Sequence, residues 1–461
     1  MRVWRGPFLL VQLFMQYRPF SGYGLSSTPK TVHGKTDVMT FIEKTTSFPS
    51  PRNDLVRATR PQKVEAYPQD WVKAAQQLAQ EFAQGAVQRD LDGTRPVEQI
   101  RGLRESGLVS LLYPKALGGG GGSLQDAAQS VLEIAKVDGS TAALLGFNYY
   151  NSLVPLLTDY TGANDDIVRH AADNRFFWGN VTQYVNKEFV AQHHPDGGFT
   201  ITGTKKWNTG APLAEVTTLL AIHPDQDRYI YAVIPTAREG LEFHNDWDPI
   251  GLRGTDSGTI TFHNVRILPQ EVLHWGHSPA QTGPLPLWAS FGAIFYTAVF
   301  IGRTLGALEQ VREWVLRGRR QGSFGGVSVS ADDPFIQAEF AEYWVQVQAA
   351  QAYFDRTIAF VQSKWDQRST LTDEDYGAIA LETLSLRTFA ARTALHVTPR
   401  VFELLGGRST AREADFDQYW RDVRTLSSHD PEVLARRVIG KHVLHDEPLV
   451  FPPHFKNDKA L

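Results

Sequence analysis

The longest uninterrupted helical pattern in the chain lies between Pro334 and Gln367, a stretch without glycine or a further proline. Its apolar residues recur at steps of three and four, which places them on one face of an α-helix. The residues of this stripe are Ile336, Phe340, Tyr343, Val347, Ala350, Phe354, Ile358, Val361 and Trp365. The next stretch begins at Thr372 with acidic residues in its first turn and has a similar pattern. Long helices with one apolar face need further helices against them, so the sequence predicts an antiparallel bundle.

The pattern changes in the middle of the chain, from about Phe176. Four short segments there are rich in Thr, Ile, Val and aromatic residues and are bounded by Gly, Asp or Pro, which is typical of β-strands. They read GGFTITGTKKW, VTTLLAIH, RYIYAVIP and GTITFHNVRIL. Helical patterns precede them from about Asp70 and follow them from Ala289. The predicted fold class is therefore α+β and mainly α, with an N-terminal helical domain, a middle antiparallel β-domain and a C-terminal four-helix bundle.

We divide the chain into a leader and linker (1–68), a helical domain (69–175), a β-barrel-like domain (176–275) and a helical bundle (276–461). The leader is unusual because every charged residue from Met1 to Thr36 is basic. An acid-poor, basic leader can be a mitochondrial transit peptide. We expect the leader to be poorly ordered and the protein to be cytoplasmic, with mitochondrial targeting as the alternative.

Composition excludes several classes of function. The chain has no cysteine, which rules out disulfides, thiolate nucleophiles and cysteine-ligated zinc or iron–sulfur clusters. Its net charge of −4 indicates no basic face for nucleic acid, and no apolar run is long enough to cross a bilayer. His442 and His445 lack a third ligand, so no metal site is predicted. Redox chemistry would need a bound cofactor.

Three strings occur in a fixed order along the chain: SGLVSLLYPKALGGGGGS, GFTITGTKKWNTGA and GLRGTDSGTITFHNVRI. They resemble the acyl-CoA dehydrogenase superfamily, and the resemblance extends roughly from Asp70 to Asp446. FFWGNVT, YWRDVRTLSSHDP and GKHVLHDEP resemble the flavin-dependent monooxygenases within it, a branch that includes dibenzothiophene monooxygenase and oxygenates small substrates at sulfur or nitrogen. The resemblance implies the superfamily's fold, a flavin cofactor and a homodimer or homotetramer.

The segment Ser428-His429-Asp430-Pro431 separates the two activities of that superfamily. In the dehydrogenases this place holds a Glu that abstracts the α-proton of the thioester. Asp430 is one methylene shorter, and about 1 Å of misplacement can cost roughly a hundredfold in rate. In the monooxygenases, reduced flavin and dioxygen give a C4a-hydroperoxide, which an imidazole could protonate near neutral pH. We predict that His429 is the acid/base group and Asp430 its partner, with the alternative that Asp430 and Pro431 only start a helix.

The resemblance also implies flavin contacts from two other strings. Asn180 and Thr182 lie in FFWGNVT, and Asn180 is expected to hydrogen-bond near the flavin and the oxygen that it activates; the alternative for Asn180 is a turn residue. Trp207 and Thr209 lie in WNTGA, where the family places an aromatic side chain and a hydroxyl against the flavin ring; the alternative for Trp207 is a core residue of a strand.

A cluster of arginines is the candidate site for the flavin phosphate. Arg317, Arg319 and Arg320 resemble the end of the family's first bundle helix, where one arginine binds the phosphate, often across a subunit interface. An arginine side chain suits this role because its guanidinium presents paired donors. The alternative is a solvated basic helix end, which favours the helix dipole.

Departures from the family pattern indicate which flavin is used. FAD-binding members carry Gln before a Gly-Gly-x-Gly loop, whereas this chain has Glu403 near that point, and an acid there would repel a pyrophosphate. Reduced FMN from a separate reductase is therefore expected, with FAD as the alternative. Ala143, Phe147 and Leu426 stand where the dibenzothiophene enzymes have His, Tyr and His, which predicts a more apolar pocket.

The sequence thus predicts a flavin-dependent monooxygenase acting on a small apolar or aromatic substrate. The alternatives are an acyl-CoA dehydrogenase-like FAD oxidoreductase with Asp430 as its base, and a catalytically idle binding protein of the same fold.

Overall fold

The computed structural model describes residues 66–183, 189–226, 228–274, 285–318 and 327–449. The first helices are α1 (Trp71–Ala83), α2 (Ala86–Asp92), α3 (Val97–Glu105), α4 (Leu124–Ala135), α5 (Gly139–Ser152), α6 (Val154–Thr158) and α7 (Asp165–Asp173). The strands are β1 (Trp178–Val181), β2 (Gln192–His193), β3 (Phe199–Lys205), β4 (Val216–Ile222), β5 (Tyr229–Pro235), β6 (Leu241–Phe243) and β7 (Ile260–Ile267). The last helices are α8 (Leu285–Arg317), α9 (Pro334–Trp365), α10 (Asp373–Leu405), α11 (Asp417–Ser427) and α12 (Glu432–His445).

This succession of helices, strands and helices confirms the predicted fold class. The domain boundaries stay a prediction, and all of the leader and linker except residues 66–68 lies outside the described residues. Side chains cap several helix starts: the Asp70 carboxylate accepts the backbone N–H of Lys73 at 2.9 Å, and Ser123 and Thr372 each begin a helix with a capping box.

The strands form two sheets, ordered β1-β4-β5 and β2-β3-β7-β6. One pairing departs from the predicted antiparallel arrangement, because β1 runs parallel to β4, with Asn180 opposite Thr218. The parallel pairing is possible because the connection from β1 to β4 is long. The chain leaves β1, forms β2 and β3 in the other sheet, and only then enters β4, and a connection of this length can make a parallel crossover. Asn180 consequently lies inside a strand and not in a turn before the strands.

Lys205 closes the end of the β1–β4 pair. Its buried ammonium donates to the carbonyl oxygens of Gln183 at 2.8 Å and Leu220 at 2.6 Å, and lies 3.4 Å from that of Val181. These carbonyls would otherwise lack a donor where β1 separates from β4. Burial lowers the pKa of Lys205 from 10.5 to about 7.

We expect Lys205→Met to lower the free energy of unfolding at neutral pH by about 1–3 kcal/mol, because buried carbonyls lose their donor. Between pH values of about 7 and 10.5 the unfolded chain binds more protons than the folded one. Wild-type stability should therefore rise with pH there, by at most about 1.4 kcal/mol per unit from this residue, and the variant should lose that rise. Urea unfolding across this range measures both effects. The neighbouring exposed lysine provides the control Lys206→Met, and parallel pH curves for wild type and Lys205→Met would contradict the assignment.

The C-terminal bundle is built on α8, α9 and α10. The predicted stripe of α9 is confirmed, since Tyr343, Val347, Phe354 and Ile358 are buried. The expectation that no apolar run could cross a bilayer is wrong for helix α8, which is long and apolar enough to do so. The apolar window that meets this criterion is, however, fully buried inside the fold. Its length and apolar character are therefore those of a core helix.

A buried ion pair fixes α11 against the rest of the molecule. Arg303 on α8 is fully buried and lies 3.1 Å from Asp422 on α11. The other oxygen of Asp422 accepts the backbone N–H of Leu252, in the loop before β7, at 2.6 Å. Gly251 in this loop approaches α11 so closely that a Cβ there would lie 2.2 Å from the carbonyl group of Arg421. These contacts position the residues that follow α11, which carry the candidate site.

Candidate active site

A cavity of about 630 Å³ opens where α5, α8, the end of α11 and the β-sheets meet. The candidate residues predicted from the motifs lie together in its wall, although they come from segments 250 residues apart. These residues are Asn180, Thr182, Trp207, Thr209, His429 and Asp430. The fold thus brings the separate motifs to a single site.

The β-domain side of the cavity presents hydrogen-bond donors. The Thr182 hydroxyl donates to the side-chain oxygen of Asn180 at 2.6 Å, which leaves the amide nitrogen of Asn180 to donate into the cavity. The Ser257 hydroxyl donates to the Thr209 hydroxyl oxygen at 2.9 Å, so the hydrogen of Thr209 is also available. The two sides of this wall are joined by the backbone, since Asn180 N–H donates to the Thr209 carbonyl at 3.0 Å.

Trp207 stands at the mouth of the cavity in a strained conformation. It follows β3, its φ is 64°, and 57% of the residue is exposed. Its ring meets that of Trp247 edge to face, with centroids 5.7 Å apart. A bulky residue held in the left-handed region costs roughly 1–2 kcal/mol, and such strain persists where the surrounding structure enforces it.

Two substitutions at Trp207 separate strain from ligand contact. Both Trp207→Gly and Trp207→Ala remove the ring, and only glycine adopts a positive φ without cost. We expect Trp207→Gly to be more stable than Trp207→Ala by about 1 kcal/mol, while both variants lose flavin affinity to the same extent. Urea unfolding and fluorescence titration with FMN measure the two quantities. Equal stabilities would show that the backbone carries no strain, and unaltered FMN affinity would remove Trp207 from the flavin site.

On the opposite wall, Asp430 contacts both Arg387 and His429. Asp430 lies 2.7 Å from the Arg387 guanidinium on α10 and 3.2 Å from Nδ1 of His429. Burial by itself would raise the pKa of the Asp430 carboxyl. The charges and hydrogen bonds of His429 and Arg387 outweigh burial and hold this pKa well below its ordinary value.

Asp430 does not cap the helix that follows it. Helix α12 begins at Glu432, its N-cap is Pro431, and no side chain caps it. The Asp430 carboxylate is instead committed to Arg387 and His429. The alternative that Asp430 and Pro431 only start a helix therefore holds for the backbone, which enters α12 here, but it does not explain the contacts of the Asp430 carboxylate.

The remaining lining is mostly apolar, as the departures from the family pattern predict. Ala143, Phe147 and Leu426 all line the cavity, and the Phe147 ring centroid lies 6.1 Å from that of His429. The sequence did not point to Tyr296, whose hydroxyl lies 3.3 Å from Nε2 of His429. It also did not point to Arg387, although a largely buried arginine on an apolar helix face signals a carboxylate partner.

Of the predicted phosphate-binding arginines, the structure describes Arg317, which does not line this cavity. Arg317 is exposed at the end of α8 and pairs with Glu313 at 3.2 Å, and Arg319 and Arg320 lie outside the described residues. One arginine lines the cavity among the described residues, Arg424 on α11. The structure therefore brings together the predicted ring contacts and leaves Arg317 outside the cavity.

Comparisons with known proteins point to one superfamily. Models of the acyl-CoA dehydrogenase N-terminal, middle and C-terminal domains match residues 69–161, 183–265 and 294–431. A dibenzothiophene monooxygenase of Mycolicibacterium goodii is 32% identical over 82% of this chain and 94% of its own length. A probable FMNH2-dependent monooxygenase of Pseudomonas putida, SfnC, is 31% identical over 83% of this chain and 97% of its own. The FMN-bound structure of TdsC from Paenibacillus sp. A11-2 aligns with a TM-score of 0.78 and 29% identity, covering 83% of this chain and 99% of that one.

The chain belongs to the acyl-CoA dehydrogenase superfamily. Within it the chain is a flavin-dependent oxidoreductase of the monooxygenase branch, as the motifs around His429 predicted.

Proposed function

We propose that this protein uses reduced FMN and dioxygen to transfer one oxygen atom to a small apolar or aromatic substrate that carries a sulfur or nitrogen atom. The observation that carries the proposal is the pair of contacts that Asp430 makes with Arg387 and His429. They hold the His429 imidazole in the cavity wall, where a dehydrogenase would place its carboxylate base. The mostly apolar lining indicates the substrate class.

The residues around the cavity fit a reduced flavin. Trp207 offers a flat ring face, and the amide of Asn180 and the hydroxyl of Thr209 supply donors for the oxygen and nitrogen atoms at the flavin's edge. Thr182 fixes the orientation of Asn180. Arg317, Arg319 or Arg320 of a neighbouring subunit would hold the phosphate. When bound, reduced FMN supplies the electrons that activate dioxygen.

His429 holds and gives the proton that oxygen transfer requires. The ionised Asp430 accepts from Nδ1 and thereby fixes the tautomer and the orientation of the ring. Arg387 keeps Asp430 ionised, so the proton stays on His429 and does not pass to the carboxylate. The Phe147 ring packs beside the imidazole, with centroids 6.1 Å apart, and Leu426 lines the same cavity.

The geometry disfavours the dehydrogenase alternative. Asp430 would have to take a proton from a substrate carbon, but a carboxylate paired with Arg387 and His429, with its pKa held low, is a weak base. The idle-protein alternative is disfavoured by the ordered donors Asn180 and Thr209 facing His429 across the cavity.

The proposal extends to partners and location. The name of the SfnC relative, an FMNH2-dependent monooxygenase, supports reduced FMN delivered by a separate reductase. We propose a homodimer or homotetramer, because Arg317 near the end of α8 does not line the cavity of its own subunit. The relatives are bacterial enzymes, which supports a cytoplasmic protein and gives no support to mitochondrial targeting.

A coupled assay tests this function. The protein is supplied with photoreduced FMN, air-saturated buffer and, as probes, indole, dibenzothiophene and methyl phenyl sulfide, and products are identified with isotopically labelled dioxygen. One labelled oxygen atom in a product supports the proposal. Anaerobic reduction of protein-bound FAD by butyryl-CoA, with no oxygenated product, would replace it with the dehydrogenase alternative.

A further inference from the structure

Tyr296 lies midway along α8 with its ring in the wall of the cavity. The residue is 8% exposed, and its hydroxyl lies 3.3 Å from Nε2 of His429. Its ring centroid is 5.1 Å from that of His429 and 5.6 Å from that of Phe147. Packing on both sides therefore fixes the ring so that its hydroxyl faces the imidazole.

The two nitrogens of His429 face different partners. Nδ1 faces the carboxylate of Asp430 at 3.2 Å, and an ionised carboxylate can only accept a hydrogen bond. The neutral ring therefore carries its hydrogen on Nδ1 and a lone pair on Nε2. It follows that the Tyr296 O–H donates to Nε2 while the ring is neutral.

We propose that Tyr296 is a proton-relay residue, which passes the proton from Nε2 of His429 to the oxygen atom that reacts in the cavity. This inference rests on the proposed function. In the protonated state, Nε2–H donates to the phenol oxygen, and the phenol hydrogen points into the cavity. As the phenol gives its hydrogen to the reacting oxygen, it takes the hydrogen of Nε2. Tyr296 is neutral before and after, His429 loses one positive charge, and the reacting oxygen gains one proton.

The surroundings favour Tyr296 over other side chains for this step. The α5 and α11 walls present Ala143, Phe147 and Leu426, which have no polar side-chain atom, and also Tyr150, Thr425 and Arg424. Among the described residues, the Tyr296 hydroxyl is the side-chain group within hydrogen-bonding distance of Nε2 of His429. On α10, the Arg387 guanidinium lies 5.5 Å from the centroid of the Tyr296 ring, and a nearby cation stabilises charge that develops on a phenol as it gives up its hydrogen. The other charged groups of this wall are Asp430 and Arg424.

The first test removes the hydroxyl. We expect Tyr296→Phe to lower kcat for oxygenation of a probe substrate by about a hundredfold, the usual size of an acid/base effect, with KM changed much less than kcat. Hydrogen peroxide should be released in place of product. The matched control is Tyr149→Phe: Tyr149 packs 5.3 Å from Phe295, and its hydroxyl has no hydrogen-bond partner among the described residues. An unchanged kcat and product yield in Tyr296→Phe would overturn the relay.

The second test needs neither flavin nor substrate. The protein has 14 histidines, and the His429 signal in a nitrogen-15 histidine NMR spectrum is identified by its loss in His429→Gln. In wild type, the account predicts that neutral His429 carries its hydrogen on Nδ1, with an Nε2 shift that changes in Tyr296→Phe. A hydrogen on Nε2 of the neutral ring, or no change in Tyr296→Phe, would refute the contact. This readout stands even if the protein oxygenates none of the probes, so failure of the relay and failure of the proposed function are distinguishable.

Discussion

His429→Gln should lower the rate of substrate oxygenation by about 10²–10⁴-fold, the range over which a positioned acid/base group contributes. Glutamine fills a similar space and keeps hydrogen-bonding atoms, but it cannot carry the proton. The affinity for FMN should change little, because the predicted ring contacts come from Asn180, Trp207 and Thr209 on the other wall. Steady-state product formation and an FMN titration measure the two quantities in the same preparation.

The control for this substitution is His445→Gln. His445 is exposed at the end of α12 and does not line the cavity, so both the rate and the affinity should match wild type. Equal product formation by His429→Gln and wild type would show that the imidazole carries no proton in the reaction.

Arg303→Met should lower the free energy of unfolding by about 3–5 kcal/mol, because breaking a buried ion pair leaves a buried charge uncompensated. Asp422 would keep the backbone N–H of Leu252 but lose its cation. The guanidinium also donates to Gln418 at 2.8 Å and lies 4.1 Å from the centroid of the Tyr419 ring. Urea unfolding measures the loss.

Arg312→Met is the control for this stability prediction. Arg312 is exposed on the same helix, and surface substitutions of this kind usually stay within about 0.5 kcal/mol of wild type. If the two variants lost the same stability, the Arg303–Asp422 pair would not hold α11 in place. Since α11 leads directly to His429, we also expect reduced oxygenation by the Arg303→Met protein that remains folded.

Much of the fold is predictable because its signals are local. The stripe of α9 and the helix starts at Ser123 and Thr372 follow from spacing and capping within a few residues. The parallel pairing of β1 with β4 could not be predicted, because β1 has four residues and its partner lies more than thirty residues further along the chain. Periodicity within a strand does not indicate which strand lies beside it.

In the candidate site, too, some residues are predictable from local sequence and others are not. Asn180, Thr209 and His429 lie in motifs that carry their own context, and the fold brings them to one cavity. Tyr296 and Arg387 lie in the middle of long helices, where the pattern around them indicates core packing, and their partners are 133 and 43 residues away. The hydrogen bond to His429 and the ion pair with Asp430 are consequences of tertiary structure, which local sequence does not encode.

We propose that this cavity controls oxygen chemistry through His429 and does not abstract a proton from carbon. The most direct measurement mixes the protein loaded with reduced FMN with dioxygen in a stopped flow, without substrate, and follows the absorbance of oxidised flavin. We expect oxidised flavin and hydrogen peroxide to form at least about tenfold more slowly on the wild-type protein than with free reduced FMN, and His429→Gln to abolish this delay. Oxidation as fast as that of free reduced FMN, together with anaerobic bleaching of bound FAD by butyryl-CoA, would contradict it.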